Sequence, residues 1–363
     1  MREKLCLVTG AAGFVGGNMV RLLLRKGYRV RATDLQPKST LFDYNDGENN
    51  LEYRCADLLN PDAVDKLLED VDWVFHIAGL FRFEATMNEL IKANVHAVKN
   101  VVQASLKHDV EVFVHFSTTG VYGSCDGSKC IDELSEPNPD NKYEISKYLG
   151  EKIVENFMLE RELPAIILRP TLIYGPGSMY GHSLMIGLLA ALKDVLREVP
   201  FVKLVSGPIA YNIHVEDVVS SALYLAENEH IGEKFLLCDD TPVTVGSFLD
   251  CLAAYADINR VFTFPLAPPL IKLIGKILPY LPNFILNTLN GVFQLLWSRY
   301  LKKYNIESPL KINLSKEWLY YMISDHEYSN DKLKSAGYDL RHPNYYLSLR
   351  ENVNWLKQQK WIN

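Results

Sequence analysis

Tyr143 and Lys147 stand four residues apart in Tyr143-Glu144-Ile145-Ser146-Lys147, a spacing that puts a phenol and an ammonium on one face of a helix. A cation beside a phenol favours the phenolate and lowers its pKa toward working pH, so the pair can exchange a proton with a substrate oxygen. Upstream, the run Phe113-Val114-His115-Phe116 leads into Ser117-Thr118-Thr119-Gly120-Val121-Tyr122-Gly123, which presents hydroxyls at a strand end. A hydroxyl there can hold the substrate oxygen while Tyr143 moves the proton.

A second constellation opens the chain. Thr9-Gly10-Ala11-Ala12-Gly13-Phe14-Val15-Gly16 reads G-x-x-G-x-x-G between a strand and a helix, where absent side chains let backbone N–H groups meet a pyrophosphate at a helix N-terminus. Asp34 closes the next strand-like run 18 residues after Gly16, placed to accept hydrogen bonds from ribose hydroxyls and to repel a 2′-phosphate. No arginine follows it directly, which favours NAD over NADP. Asp57, with Leu58 beside it, falls where a third strand would end and where an adenine would lie; a helix N-cap is the competing role for Asp57.

These groups need a scaffold, and the first half of the chain alternates strand-like and helix-like runs. Lys4 to Thr9, Tyr28 to Thr33, Trp73 to Ala78, Val112 to Ser117 and Ala165 to Leu168 read as strands. Val15 to Arg25, Pro61 to Leu68, Met87 to Leu106 and Tyr143 to Leu159 read as helices, and Gly27 sits where the first of them would be capped. The alternation predicts an α/β fold: a Rossmann-type, doubly wound parallel sheet. Asp126 to Asn141 reads as a loop over the C-terminal edge of that sheet. The 363 residues, 48% hydrophobic, suffice for one large or two modest domains. With 44 acidic against 38 basic side chains, the chain lacks the cationic excess of a nucleic-acid binder. Six scattered cysteines form neither a disulfide framework nor a zinc set, so no metal is expected, and the start reads as a first strand rather than a signal peptide; a cytoplasmic setting follows.

Together the glycine turn, Asp34, His76-Ile77-Ala78-Gly79, Asn94, the Ser117 to Gly123 run, the Tyr143/Lys147 pair and Arg169-Pro170-Thr171-Leu172-Ile173-Tyr174-Gly175-Pro176 resemble the extended short-chain dehydrogenase/reductase superfamily. The resemblance implies Tyr143 as acid/base, Lys147 as the nicotinamide-ribose ligand and Thr118 as the catalytic hydroxyl. It also implies cofactor contacts from Gly10, Gly13, Phe14, Val15, Gly16, Asp34, Asp57, Leu58, Ala78, Gly79, Ser117, Tyr143, Lys147 and Pro170, with Asn94 bracing the site from its helix and counted among them. Residues 1–170 would form the NAD-binding domain. Residues 171–363 would form a smaller, mostly helical substrate-binding region interleaved with the last Rossmann elements, with Thr119, Ser178, Tyr180 and His182 as candidate substrate contacts. A homodimer through the helices Met87 to Leu106 and Tyr143 to Leu159 is the assembly the resemblance implies.

Within that superfamily three readings compete. Dehydratases carry an Asp-Glu pair directly after the catalytic threonine, whereas Thr119 and Gly120 stand here. Sugar-nucleotide epimerases place an arginine shortly before an Ile-His-Val-x-Asp segment to fork onto the diphosphate; Ala210 occupies that place before Ile213-His214-Val215-Glu216-Asp217. His214 and Asp217 are expected to fix the return of the chain. The third reading resembles the 3β-hydroxysteroid dehydrogenase branch, whose substrates are apolar. The expected activity is therefore NAD-dependent hydride transfer at a secondary alcohol or ketone of a sterol-like or long-chain compound. A sugar-nucleotide epimerase is the alternative, and a non-catalytic dinucleotide-sensing protein the second alternative.

The C-terminal half supports the apolar reading. Residues 261–306 contain no acid and five basic residues, Lys272, Lys276, Arg299, Lys302 and Lys303. Pro279 and Pro282 interrupt the uncharged span Ile277 to Ser298, which makes it a poor transmembrane helix. Asn283, Asn287, Asn290 and Gln294 fall on one stripe of an otherwise apolar helix, preceded by a second amphipathic run at Pro268 to Leu278. Residues 267–303 are expected to lie peripherally at a membrane surface, to cover an apolar substrate, or to pack as an ordinary helical hairpin or dimer contact. The aromatic run Trp318, Tyr320, Tyr321 is expected in the core, and the segment from Ile323 through Tyr338 resembles the family's closing segment.

Overall fold

The computed structural model describes residues 4–38, 49–82, 84–123, 130–196, 201–204, 208–255, 261–264, 282–314, 316 and 327–363. The helical run expected at Pro268 to Leu278 and the aromatic run Trp318, Tyr320, Tyr321 lie outside the described residues.

Strand β1 (Leu5–Thr9) is apolar up to Val8 and buried on both faces, as a central parallel strand must be. It is joined through α1 (Phe14–Arg25) to β2 (Arg29–Asp34) and then to β3 (Leu51–Cys55), followed by α2 (Pro61–Leu68). The chain next returns to the other side of β1 with β4 (Trp73–His76), β5 (Val112–Phe116), β6 (Ala165–Pro170) and, late in the sequence, β11 (Lys234–Leu237). The seven-stranded order is β11-β6-β5-β4-β1-β2-β3, with every neighbouring pair parallel. Strand order reverses between β1 and β4, and ligands of such sheets bind in the crevice at that point.

Local chemistry sets the ends of these elements. Lys26 ends α1 and Gly27 follows with φ +83°, the left-handed turn that glycine adopts without cost. Asn60 caps α2, accepting from the N–H groups of Asp62 and Ala63, with Pro61 as first helical residue. Asp57 therefore caps no helix; its carboxylate accepts from the Leu59 N–H in a tight turn. The single helix expected from Met87 is α3 (Met87–Ile91), a π turn (Lys92–His96) and α4 (Ala97–Lys107). The wide turn centres on Asn94, where α5 (Lys142–Arg161) comes closest: a Cβ on Gly150 would lie 2.1 Å from the Asn94 carbonyl oxygen.

Beyond β6 come β7 (Leu172–Tyr174), α6 (His182–Leu196), β8 (Phe201–Leu204), β9 (Ile209–Ala210), β10 (Asn212–His214), α7 (Val215–Glu227), β12 (Val243–Thr244), α8 (Val245–Tyr255) and β13 (Val261–Phe264). Three small pairs form here, β7 with β10, β9 with β12 and β8 with β13. Last are α9 (Asn283–Tyr304), α10 (Asp331–Ser335) and α11 (Tyr345–Gln358). His214 caps α7 by accepting from the Glu216 N–H, and buried Asp217 accepts from the Tyr338 hydroxyl and the Arg341 and His342 N–H groups. Those two residues fix the chain's return, as expected, and anchor its closing segment. The loop before α5 is pinned too: Glu133 accepts from the Leu236 N–H, and Ile131 bridges to Tyr328.

Helix α9 carries the polar stripe and wide apolar face that the sequence implies. Leu286, Asn290, Trp297 and Tyr300 face inward against α6 and the 310–314 segment, while Phe284, Leu289, Val292 and Leu295 face outward. Of the polar stripe, Asn283, Asn287 and Gln294 are exposed and Asn290 alone turns inward. Asn290 is buried because its amide bonds both the N–H and the carbonyl of Leu314, which would otherwise lack partners.

Candidate active site

At the reversal point lies a cleft of about 490 Å³. Its floor on one side is the glycine turn. Gly10 has φ +70°, and a Cβ there would stand 2.9 Å from the backbone of Ala78; a Cβ on Gly16 would stand 2.1 Å from the Gly10 carbonyl oxygen. Only glycine permits this closeness, so the turn exposes backbone rather than side chains. Helix α1 starts there with no side-chain cap and no acid in its first turn, leaving its N–H groups and positive dipole end open to an anion. Thr9 locks the turn to β4: its hydroxyl oxygen accepts from the Ile77 and Ala78 N–H groups. Asp34 ends β2 at the cleft wall, held by the Ala12 and Gln36 N–H groups. The donors, the anion-seeking helix end and the carboxylate fit a dinucleotide with a free 2′-hydroxyl.

The opposite wall carries the reactive groups. Ser117, Thr118, Thr119, Tyr143, Glu144, Lys147 and Pro170 all line the cleft. Thr118 accepts from the Gly120 N–H at 3.1 Å, which fixes its rotamer and leaves its own O–H proton to donate. Lys147 is buried and donates to the Phe116 carbonyl at 2.6 Å, which joins α5 to the end of β5. Burial pulls its pKa down to about 8, against the opposing pull of Glu151. Tyr143 does not show the expected depression. Burial, with smaller contributions from Tyr180 and Glu144, holds its phenol well above the ordinary range. In this arrangement Tyr143 holds its proton and is set to donate it.

Burial also raises the Glu144 carboxyl, opposed by hydrogen bonds from the Asp140 and Asn141 segment. Aromatic rings complete the wall. The Phe81 ring meets Tyr143 edge-on at 5.0 Å and Tyr180 at 5.3 Å, and Tyr180 meets Phe14 edge-on at 5.8 Å. Leu80, Leu172 and Ile173 fill the gaps.

Behind the wall, Arg169 forms a bidentate pair with Glu151 and donates to the Tyr122 hydroxyl, all three in the interior. Glu151 is one turn beyond Lys147, so this clamp fixes α5 against β6 and the Thr118 turn. Breaking one member of such a pair strands a buried charge.

Several expected contacts fall elsewhere. Asn94 does not line the cleft: its amide is consumed by the backbone of Leu80 and the hydroxyl of Ser146, so it positions the Gly79–Leu80 turn. Asp57 and Leu58 lie off the cleft, where Asp57 turns into its own loop and the Leu58 carbonyl accepts from Asn100. Thr119 lines the cleft but donates its hydroxyl to the Pro170 carbonyl at 3.3 Å. Ser178 donates to the Tyr180 carbonyl, and His182 is buried among Tyr174, Phe248 and Tyr345; the cleft wall at this point is Tyr180. Spacing alone missed Phe81, Glu144, Glu151 and Arg169. An arginine inside an apolar strand was the available signal for the clamp, since a buried guanidinium requires a carboxylate. Among the described residues, His214, Glu216 and His342 bring donor atoms within 4.8 Å of one another, but away from the cleft.

Residues 6–238 match the model of the NAD dependent epimerase/dehydratase family. A dihydroflavonol 4-reductase of Arabidopsis thaliana is 30% identical over 283 residues, covering 72% of each chain. A UDP-N-acetyl-alpha-D-glucosaminuronate decarboxylase of Bacillus cytotoxicus is 30% identical over 186 residues, 49% of this chain and 57% of that one. A crystal structure of UDP-glucose 4-epimerase from Thermotoga maritima, with UDP-glucose, shares the fold at a TM-score of 0.70 and 20% identity, covering 98% and 99% of the two chains. The chain belongs to the NAD dependent epimerase/dehydratase family and is an NAD-dependent enzyme of the extended short-chain type.

Proposed function

We propose that this enzyme transfers hydride between NAD and a carbonyl or secondary alcohol on an apolar substrate, a ring-bearing or long-chain compound. The observation that carries the reading is the composition of the substrate wall. Opposite the glycine turn and Asp34, the described lining sets Leu80, Phe81, Leu172, Ile173 and Tyr180 beside the hydroxyls of Ser117, Thr118, Thr119, Tyr143 and Thr171; its acid on that side is Glu144, and its cation is Lys147, already bonded to Phe116. A diphosphate needs guanidinium or ammonium partners, and a carboxylate facing it is repulsive. A flat apolar ring instead finds edges and faces of aromatic side chains. The similarity to a dihydroflavonol 4-reductase agrees with this preference. The sterol-like end of the expected substrate range has no separate support.

NAD, when bound, supplies or accepts the hydride. The rest falls to the protein. Phe81 and Tyr180 hold the apolar body of the substrate, and the Thr118 O–H donates to its oxygen. In the reductive direction Tyr143 gives its proton to that oxygen; in the oxidative direction its phenolate takes the proton back. Lys147 supplies the positive charge that lowers the cost of the phenolate, and Asp34 selects a cofactor with a free 2′-hydroxyl.

The similarity to a UDP-sugar decarboxylase favours a second reading, a sugar-nucleotide epimerase or decarboxylase. Competition separates the two. With NADH and a series of ketones, kcat/KM is expected to rise with apolar ring area while UDP fails to compete. Inhibition by UDP, with indifference to ring area, would favour the sugar-nucleotide reading.

A further inference from the structure

Helix α9 buries an inner face and leaves an outer flank of apolar side chains exposed. Inside, Trp297 donates its indole N–H to the Leu310 carbonyl and Asn290 bonds both backbone groups of Leu314. Outside, Phe284 is 69% exposed and Leu295 51%, with Leu289 and Val292 beside them on the same flank. Gly291 lies among them, and nothing stands within 4 Å of a Cβ placed on it. The two hydroxyls of this surface are turned back onto the helix: Thr288 donates to the Phe284 carbonyl and Ser298 to the Leu295 carbonyl. Hydroxyls bonded this way offer no donor outward, the arrangement suited to an apolar medium.

The far end of the same flank is cationic. Arg299, Lys302 and Lys303 follow the apolar residues along one side, all exposed, and residues 261–306 contain no Asp or Glu. No helix among the described residues is long and apolar enough to cross a membrane.

We propose that the outer face of α9 seats the enzyme on an anionic lipid surface, with Phe284, Leu289, Val292 and Leu295 in the acyl boundary and Arg299, Lys302 and Lys303 among the headgroups. An apolar stripe flanked by basic side chains and lying in the plane of the interface is the arrangement that binds such surfaces. A second copy of the chain is the poorer fit, because the helix brings no carboxylate to meet the three cations of its twin. The inference stands without the substrate reading; joined to it, it places the enzyme where apolar substrates dissolve.

The test is co-sedimentation of the full chain with phosphatidylcholine vesicles, with and without phosphatidylglycerol, at low and high salt. The expected result is pelleting with the anionic vesicles, relieved by salt. Val292→Glu with Leu295→Glu is expected to weaken it by about tenfold or more, and Arg299→Gln with Lys302→Gln by about tenfold. NADH affinity and far-ultraviolet circular dichroism should match the parent, which excludes misfolding. No pelleting with any vesicle, equal pelleting with neutral ones, or indifference to the glutamate pair would overturn the proposal. So would a fall from dimer to monomer in the glutamate variant of a protein that binds no lipid, which would assign the face to a second copy.

Discussion

The two walls of the cleft are built by opposite means. The cofactor wall is backbone: Gly10, Gly13 and Gly16 keep side chains out so that N–H groups and a helix end are presented directly, and a single methyl meets main chain. The substrate wall is side chain: Phe81, Tyr180, Leu172 and Ile173 supply area and shape, and each can change without moving the main chain. Tyr143 and Lys147 stand between them on α5, held by the Arg169–Glu151 clamp. Backbone recognition tolerates no variation and side-chain recognition invites it, so one fold can keep its cofactor and change its substrate.

Substitutions at the junction and on each wall should separate these parts. The largest effect is expected at the junction. Tyr143→Phe should lower kcat by about a thousandfold while NADH affinity, read by fluorescence titration, stays within about twofold because neither wall has changed; retained turnover would remove Tyr143 from the chemistry. On the cofactor wall, Gly16→Ala should weaken NADH binding by about a hundredfold, since the new Cβ would meet the Gly10 carbonyl oxygen at 2.1 Å. Near-normal affinity in a folded variant would show that the cradle is looser than drawn.

The junction also has a pH signature with two signs. The Lys147 pKa lies near 8, below its ordinary value of 10.5, so the ammonium is present below pH 8 and lost as pH rises through it. Activity that needs the cation should fall about tenfold per pH unit above 8. Stability should move the other way between pH 8 and about 10.5, because there the unfolded chain binds the proton that the folded one has released. Lys147→Met should abolish the stability trend; the same pH slope in parent and variant melting curves would assign it to another group.

Effects on the substrate wall should be milder. Phe81→Ala should raise KM for a ring-bearing ketone by about five- to tenfold, the worth of one aromatic contact, with kcat and NADH affinity little changed. A matching loss with an acyclic ketone would mean that Phe81 holds Tyr143 rather than substrate. Smallest of all, Thr119→Val should change kcat/KM by less than about twofold, since its hydroxyl is directed to the Pro170 carbonyl and not into the cleft. A large loss would restore it as a substrate contact.

This contrast also governs how much was legible in advance. The parallel α/β sheet and the glycine turn were readable because local rules write them: buried strands are continuous apolar runs, and a turn that admits no Cβ must be glycine. That Thr118, Tyr143 and Lys147 share one cleft was readable because a strand-end hydroxyl and the i,i+4 spacing restrict place. Phe81 was not, since an aromatic residue reads the same in a core and in a cleft; Tyr180 was legible only as one of three candidates after the Gly175–Gly177 bend. Ser178 and His182 were misplaced for a related reason: position after the Gly175–Gly177 bend indicates the neighbourhood, whereas tertiary packing decides which side chain turns inward. The π turn at Asn94 and the inward asparagine on α9 answer to main-chain partners distant in sequence, Gly150 and Leu314, which no periodicity could reveal.

The most direct measurement is absorbance at 340 nm with purified enzyme, NADH and a panel holding apolar ring ketones and UDP-sugars. Net loss of NADH with an apolar ketone, absent in Tyr143→Phe, is the predicted result. Constant absorbance with every ketone, accompanied by interconversion of UDP-sugar epimers, would contradict it and return the cleft to sugar-nucleotide chemistry.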